Sequence, residues 1–583
     1  MREKWILEMK KADFDGLSKK LGVMPLVVRC MVNRGLSDLE EMQEYLRGTR
    51  ADLYDPGLMR DMDRALAILD EARAQNVKVA IASDFDCDGI FSAYILWRAF
   101  KHIGMDAKIY TPNRVREGYG LNARIIEEAL ADGRRLLVTC DNGIAANAEI
   151  ALAKEKGMTV IVTDHHEVQE TLPEADAVLD PKQEGDTYPF PGLCGAGVAF
   201  KLIGALYRKY GVEEAQWLFL PYVAIATVAD VMELRGENRI FVREGLSMLP
   251  EVDNPGLKAL LEIQGLTGKA ITAGHIGFII GPCFNAAGRI STVEESFRLL
   301  METDSEKAYQ QAAHLKEINE SRRAMTEEGA ERAIEIAEKK RINGKLPPVL
   351  VVLLQDVHES LVGIIAGRVK ERYNRPAIVF TEVDGDCVKG SGRSIEAYDM
   401  FSGLMACREL MQRFGGHKMA AGMTLRKEEL PELESRLCEQ AGLTEEDFRP
   451  VIRIDAAMPI GYVTETLLQE LAYMEPFGAG NPKPVFAEQH FRILRGRRIG
   501  REKNVLKLRV ENNKGSQCDA LMFRGADEFE SFVREEWGEG ELVRMYEGKE
   551  NLLDVAFTYY PEMNEYQGRR FVQIQIAGYC RVE

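Results

Sequence analysis

The sequence lacks the features that would tie it to an oxidising compartment or a membrane. Its ten cysteines are scattered over 583 residues with no CxxC pair. A disulfide framework or a zinc ribbon needs closer, regular spacing, so these thiols are expected to be reduced and mostly buried, as in a cytoplasmic protein. No apolar run approaches the length needed to cross a bilayer. The opening MREKWILEMKKADFDG has neither the apolar core nor the small-residue cleavage site of a secretory signal. An excess of positive charge is missing too: the net charge of −17 argues against broad, nonspecific binding to duplex nucleic acid. It does not exclude a nuclease, because a metal cluster consumes acidic residues and phosphate attraction can be local. Internal repeats and low-complexity segments are absent. What remains is an ordinary globular composition, 46% hydrophobic and 29% charged, too long for one core.

Histidine is scarce as well, with eight in the chain, yet two of them adjoin at the end of the apolar run TVIVTDHHE, as Asp164, His165 and His166. Similar runs end in further metal-competent side chains: IASDFDCDGI carries Asp84, Asp86 and Asp88, LLVTCDNGI carries Asp141, and VAIATVADVMEL carries Asp230. Short apolar runs that break sharply into acidic residues, with helical patterns between them, predict parallel β-strands. In an open α/β sheet the carboxyl ends of such strands line one crevice, so these groups should converge. A lone DxDxDG is also compatible with a calcium loop. An EF-hand, however, needs glutamate at its twelfth position, and counting from Asp84 places Ile95 there. Carboxylates with imidazole and no thiolate pair suit two divalent ions such as Mn²⁺ or Mg²⁺. The pattern points to a two-metal phosphoesterase.

DFDCDG, CDNG, DHHE and ADVMEL, in this order, resemble the four motifs of the DHH phosphoesterase superfamily. GGHKMAAG (415–422) resembles the signature of its companion DHHA1 domain. GPCFNAAGR (281–289), GSGRS (390–394) and EPFGAGNPKPVF (475–486) narrow the match to the exonuclease family specific for single-stranded DNA. The resemblance spans about residues 50 to 583 and implies 5′→3′ hydrolysis of single-stranded DNA to 5′-mononucleotides in recombination and repair. Its enzymatic rival is a DHH phosphodiesterase of short oligonucleotides or cyclic dinucleotides, a type that usually lacks a C-terminal barrel. A rival of another class is a non-catalytic, replication-associated scaffold, against which the intact acidic and histidine residues argue.

By the family pattern Asp141 bridges two metals, Asp86 belongs to one, and Asp88, His165 and Asp230 belong to the other. His166 faces the scissile phosphate, as a donor to its oxygens or to the leaving group. Asp164 is read as the partner that orients His165. Many family members carry a histidine where this chain has Ala82, which leaves Asp84 as a candidate to complete the first metal's shell. Arg114, Arg289 and Arg393, with Ser391, are candidates for holding substrate phosphates, because guanidinium forks match phosphate geometry. His417 follows two glycines that allow close approach to nucleic acid. The stretch RILRGRRIGREK sets six basic residues against one acid, with Arg495, Arg497 and Arg498 at its centre. Basic grooves with stacking aromatics bind single strands, although most of the nearby aromatics, Phe491, Phe523, Phe557, Tyr559 and Phe571, suit a barrel core, since alternation turns half of each strand inward. The resemblance also implies a single-stranded-DNA-binding protein and a RecQ-type helicase as partners, and the chain is expected to be monomeric.

Along the chain, the predicted plan is an α/β protein with a C-terminal barrel. Residues 1–70 form a helical cap on the catalytic domain, 71–303 a DHH domain with a largely parallel sheet, and 304–345 a long connecting helix. Residues 346–444 form a smaller α/β DHHA1 domain and 445–583 an OB-type β-barrel.

Overall fold

The computed structural model describes residues 3–114, 117–383, 385–500, 502–566 and 569–582. The chain divides into two compact units, Leu53–Phe448 and the pair of segments Met1–Asp52 and Arg449–Glu583.

The larger unit begins with a five-stranded parallel sheet of β1 (Val79–Ser83), β2 (Ala107–Tyr110), β3 (Leu136–Cys140), β4 (Thr159–Thr163) and β5 (Ala177–Leu179). Their spatial order is β2-β1-β3-β4-β5. All five residues of β1 are buried, as expected of a strand covered on both faces. Val79 and Ile81 join one core cluster and Ala80 and Ala82 the other. Because the chain leaves β1 for β2 on one side and β3 on the other, the strand order reverses there. This opens a crevice at the carboxyl ends of β1 and β3. Helices α1 (Cys87–His102), α2 (Gly195–Lys209), α3 (Leu220–Ala229) and α4 (Gly281–Ile290) surround that crevice.

VAIATVAD does not form a strand. It lies in α3, and Asp230 is the residue that caps its C-terminus. Eight of the ten residues of α3 are buried, so the helix is apolar on every side and shows no 3.6-residue period that would separate it from a buried strand.

Helix α5 (Ser305–Lys339) runs for 35 residues, starting from the Asp304 cap, and spans about 52 Å at 1.5 Å per residue. Ala308, Ala312 and Leu315 near its start belong to the core of the first sheet, whereas Ala330, Ala333 and Ala337 belong to that of the second. The second sheet comprises β6 (Leu350–Leu354), β7 (Ala377–Val383), β8 (Cys387–Arg393), β9 (Met411–His417) and β10 (Ala420–Arg426), in the order β9-β10-β8-β7-β6. Helix α6 (Val362–Tyr373) packs on it.

In the other unit, strands Phe486–Ile499, Val505–Glu511, Gln517–Met522, Asp554–Tyr566 and Arg569–Arg581 form a barrel. It closes where the first of them pairs with the fourth. Here the N-terminal segment divides, because residues up to Asp52 join the barrel's unit, whereas Met59, Met62, Ala65 and Leu69 pack in the core of the first sheet as expected of a cap. Lys4–Leu7 pairs with Val451–Ile454, and Val27, Val28 and Met31 share a core with Phe486, Phe491 and Val555. Amphipathic helices need some apolar partner, and the barrel end supplies it. A buried Arg34–Asp455 ion pair at 3.0 Å and a Tyr45–Asn481 hydrogen bond at 2.8 Å fix the docking.

Candidate metal centre and phosphate cavity

The acidic residues converge at the crevice because each closes a strand or helix that ends there. Asp84 follows β1, Asp141 follows β3 in a left-handed conformation (φ 58°), and Asp164 follows β4. Asp86 caps α1, its Oδ1 accepting from the N–H groups of Asp88 and Gly89 at 3.1 Å. Asp88 lies in the first turn of α1 and accepts from Gly195 (2.6 Å) and Ala196 (2.8 Å) at the start of α2. Asp230 precedes Val231, a β-branched residue held at φ 59°. Such backbone costs of order 1–3 kcal/mol and clusters at functional sites.

His165 stands at the centre. Its Nε2 lies 3.1 Å from Asp141 Oδ1, 3.6 Å from Asp88 Oδ2 and 3.8 Å from Asp230 Oδ2. Of the residues singled out in the sequence, Asp141, Asp164, His165 and His166 form one close group and Asp88, His165 and Asp230 another. Asp164 serves a different histidine from the one expected. Its Oδ1 accepts from His166 Nδ1 at 2.7 Å and from the backbone N–H groups of His165 and His166, while Oδ2 accepts from Ile144 N–H. A carboxylate that closes the turn after β4 in this way reaches the ring two residues on, and His165 points past it to the carboxylates. Tyr119, which no motif marked, donates its hydroxyl to the Asp141 carbonyl (2.7 Å) and lies 3.2 Å from His166 Nε2.

The electrostatics are those of a cation site. Burial raises the pKa of Asp84, Asp88 and Asp141, and neighbouring carboxylates add to it. Asp230 is pushed up to about 8 by burial and by Asp88 and Asp86. Asp164 falls below the usual range, because its bonds to His166 and Ile144 outweigh burial. Burial lowers His165. It works against His166 too, but the bond to Asp164 and the surrounding carboxylates prevail and raise this ring to about 9. Asp84 Oδ2 and His165 Nδ1 are buried without partners. Cys87, Cys140 and Cys194 are pushed up by burial and nearby carboxylates, so they stay thiols and the donors are oxygen and imidazole. This set fits hard divalent ions.

Beside the centre lies a cavity of about 680 Å³ whose walls include Phe85, Arg114, Arg289 and His358. Arg114 stacks over Phe85, 4.5 Å from the ring centre. Arg289, in the last turn of α4, donates to the Ser360 carbonyl at 2.8 Å, and Ser360 Oγ donates back to the Arg289 carbonyl. Arg393 is not among the walls, and its guanidinium donates to Ser391 Oγ and to the Gly392 carbonyl. Burial, with the charges of Arg114, Arg322 and Arg393, lowers Arg289 to about 9. His417, exposed on β9, shares a register row with Ala420 and Arg393 across the second sheet.

On the barrel, Arg495 and Arg497 are exposed and stand opposite Arg509 and Lys507 on the neighbouring strand. Like charges directly opposite are destabilising, and Asp519 offsets this by pairing with Lys507 at 2.6 Å and Arg509 at 3.3 Å; the register was invisible in the sequence. Arg498 turns away from that patch and pairs with Asp527 and with Glu530. The charge expected of Arg498 is therefore spent within the fold. Arg501, of the same run, lies outside the described residues.

Family models for the DHH family N-terminal domain, the DHHA1 domain and the RecJ OB domain match residues 78–227, 346–442 and 454–578. The single-stranded-DNA-specific exonuclease RecJ of Dickeya dadantii is 33% identical over 573 residues, covering 94% of this chain and 95% of its own. The chain belongs to the RecJ family. RecJ of Escherichia coli is 31% identical, with 95% of each chain covered. RecJ of Bacillus subtilis is 36% identical over 90% of this chain, which spans 66% of that longer relative. Among solved structures, RecJ from Thermus thermophilus in complex with Mn²⁺ superposes with a TM-score of 0.82 at 26% identity, over all of this chain and 80% of that one.

Proposed function

We propose that the chain hydrolyses single-stranded DNA from the 5′ end, releasing 5′-mononucleotides, with two divalent ions, Mn²⁺ or Mg²⁺, in recombination and repair. The observation that carries this reading is the gathering of Asp88, Asp141 and Asp230 around His165 Nε2. Relatives named single-stranded-DNA-specific exonucleases support the substrate. Asp88, His165 and Asp230 would hold one ion and Asp84 and Asp86 the other, with Asp141 bridging. Bound there, the ions supply an activated water and neutralise charge on the phosphoryl oxygens.

The chain's own groups orient the substrate and handle the proton. His166 gives its Nδ1–H to Asp164, which fixes the ring and leaves Nε2–H free to act. Tyr119 donates to a carbonyl, so its oxygen receives that Nε2–H until a phosphate oxygen or the leaving oxygen replaces it. Arg114, Arg289 and Arg393, with Ser391, hold the terminal phosphate and set the polarity, and His417 meets the strand. Arg495 and Arg497 bind the strand on the barrel.

The family resemblance further supports a single-stranded-DNA-binding protein and a RecQ-type helicase as partners, a monomeric state and a cytoplasmic location. Patterning along the chain supports the division into cap, DHH domain, connecting helix, DHHA1 domain and barrel, with the first part of the cap serving the barrel. End-labelled single-stranded DNA, single-stranded RNA and duplex, each with Mn²⁺, Mg²⁺ or EDTA, test the reading by product size. Metal-dependent mononucleotides from single-stranded DNA are expected. Cleavage of duplex at equal rate, or full activity in EDTA, would overturn it.

A further inference from the structure

We propose that Arg322, on helix α5, is a further contact for a substrate phosphate, so that the helix joining the two sheets touches the strand itself. The inference rests on the phosphodiester reading above and adds a residue that neither the motifs nor the cavity walls single out.

The placement comes from the packing of α5. Asn319 donates to Cys283 Sγ of α4 at 3.6 Å. Further along the same helix, a Cβ on Gly329 would stand 2.5 Å from Ile365 Cδ1 of α6, and Val357 is also within reach. Arg322 lies between these contacts, one turn past Asn319, so it faces the seam between α4 and the second domain. Its Nη2 donates to Asn319 Oδ1 at 2.5 Å, which orients the guanidinium without neutralising it. The adjacent Arg323 pairs with Glu327 at 3.9 Å. Among the described residues no carboxylate lies within ion-pair distance of Arg322, and the same holds for Arg114, Arg289 and Arg393.

Burial lowers the pKa of Arg322, and its charge helps to lower Arg289. The charges of Arg114, Arg322 and Arg393 act against that of Arg289, and the acids felt here, Asp86 at Arg289 and Glu327 at Arg322, pair with neither guanidinium and do not cancel this. An oxyanion does. A phosphate diester matches the fork of N–H donors and is the anion this site is read to process.

The test uses the full chain with Arg322→Gln and Arg322→Ala, and Arg393→Ala alongside. Binding of a 5′-phosphorylated single-stranded oligonucleotide is followed by anisotropy in EDTA across a salt series. Each Arg322 variant is expected to weaken binding about ten- to a hundredfold. The slope of log affinity against log salt should become shallower by about 0.7, a change that structural damage alone does not produce. Unchanged affinity and slope in a variant that melts like wild type would overturn the proposal. A loss in Arg393→Ala with none in Arg322→Gln sinks this inference alone, whereas no loss in any variant sinks the phosphate reading beneath it. If neither Arg322 variant folds, phenylglyoxal labelling of the wild-type chain decides. The oligonucleotide should protect Arg322, and labelling indifferent to it overturns the assignment.

Discussion

Replacing Gly195 by alanine should disable the metal centre without removing any of its ligands. A Cβ at this position would stand 2.7 Å from Asp141 Cβ, 3.0 Å from its Cα and 3.1 Å from its Oδ1. Ordinary carbon contacts lie near 3.5–4.0 Å, so about 1 Å must open between the two residues. Neither side yields freely. Asp141 is fixed at φ 58° with its N–H on the Thr163 carbonyl, and the Gly195 N–H holds Asp88 Oδ2 at 2.6 Å. Whichever side moves, a carboxylate beside His165 moves with it. A misplacement of about 1 Å costs roughly a hundredfold in rate, equivalent to about 2.7 kcal/mol of barrier. Overpacking also lowers stability by about 1–3 kcal/mol. Initial rates of mononucleotide release at saturating Mn²⁺, together with a melting curve, measure both. Gly197→Ala is the control: its Cβ meets the Leu193 side chain at 3.3 Å, which can relax, and activity should survive. A Gly195→Ala enzyme with kcat within about threefold of wild type would refute the reasoning, because α2 would then not seat these carboxylates.

Four further outcomes follow from the same structure. Asp141→Ala should remove hydrolysis by several orders of magnitude while sparing strand affinity, and retention of more than about a tenth of the rate in Mn²⁺ would mean the bridge is misassigned. Arg289→Ala or Arg393→Ala should weaken action on 5′-phosphorylated strands about ten- to a hundredfold, with a much smaller effect on 5′-hydroxyl strands. An equal loss on both would show that they hold internal phosphates. Replacing Arg495 and Arg497 by alanine should flatten the salt dependence of strand binding by about 1.4 for the two contacts, whereas Arg498→Ala should lower the melting temperature and leave that slope alone. Finally, a fragment of residues 53–448 should fold and cleave short strands, and residues 449–583 without the N-terminal segment should fail to give a cooperative melting transition. A stable isolated barrel would show that Val27, Val28 and Met31 are dispensable to its core.

Much of the centre was legible because its acidic residues follow recognisable strands. Asp84, Asp141 and Asp164 each close a mostly apolar run, and such runs in a parallel sheet end on one crevice. Asp230 lies 3.8 Å from His165 but ends a helix where a strand was expected, since a helix buried on every side has no polar face to betray its period. The strands bearing GSGRS and GGHKMAAG were not predicted as strands, because glycine weakens a strand and hides its alternation. Gly390 is glycine for packing: a Cβ there would stand 2.4 Å from the Phe380 ring. Adjacent histidines gave no hint of which one Asp164 would serve, and Tyr119 sat beside a more conspicuous arginine. The N-terminal helices showed an apolar face, but periodicity alone cannot say which core receives it.

Net charge argued only against broad binding to duplex, and pairing shows why it says little about local sites. The balance of −17 counts every charge equally, yet many arginines are spent on acids within the fold. Arg492 is bound to Glu511 and Arg498 to Asp527, while Arg323 is matched with Glu327 one turn away. Arg495 and Arg497 are not matched in this way, and neither are Arg114, Arg289, Arg322 and Arg393, of which the last four have pKa values lowered by burial. An exposed paired charge contributes little to stability or to the local field. An unpaired one held against its neighbours keeps its full demand for a counter-ion. The acidic side obeys the same rule: Asp176 is satisfied by Lys154 at 2.5 Å, but Asp84, Asp88, Asp141 and Asp230 have pKa values raised by burial and by one another. The charges left unmatched, acids at the sheet's end and arginines along the seam, are the ones that call for metal ions and for phosphates.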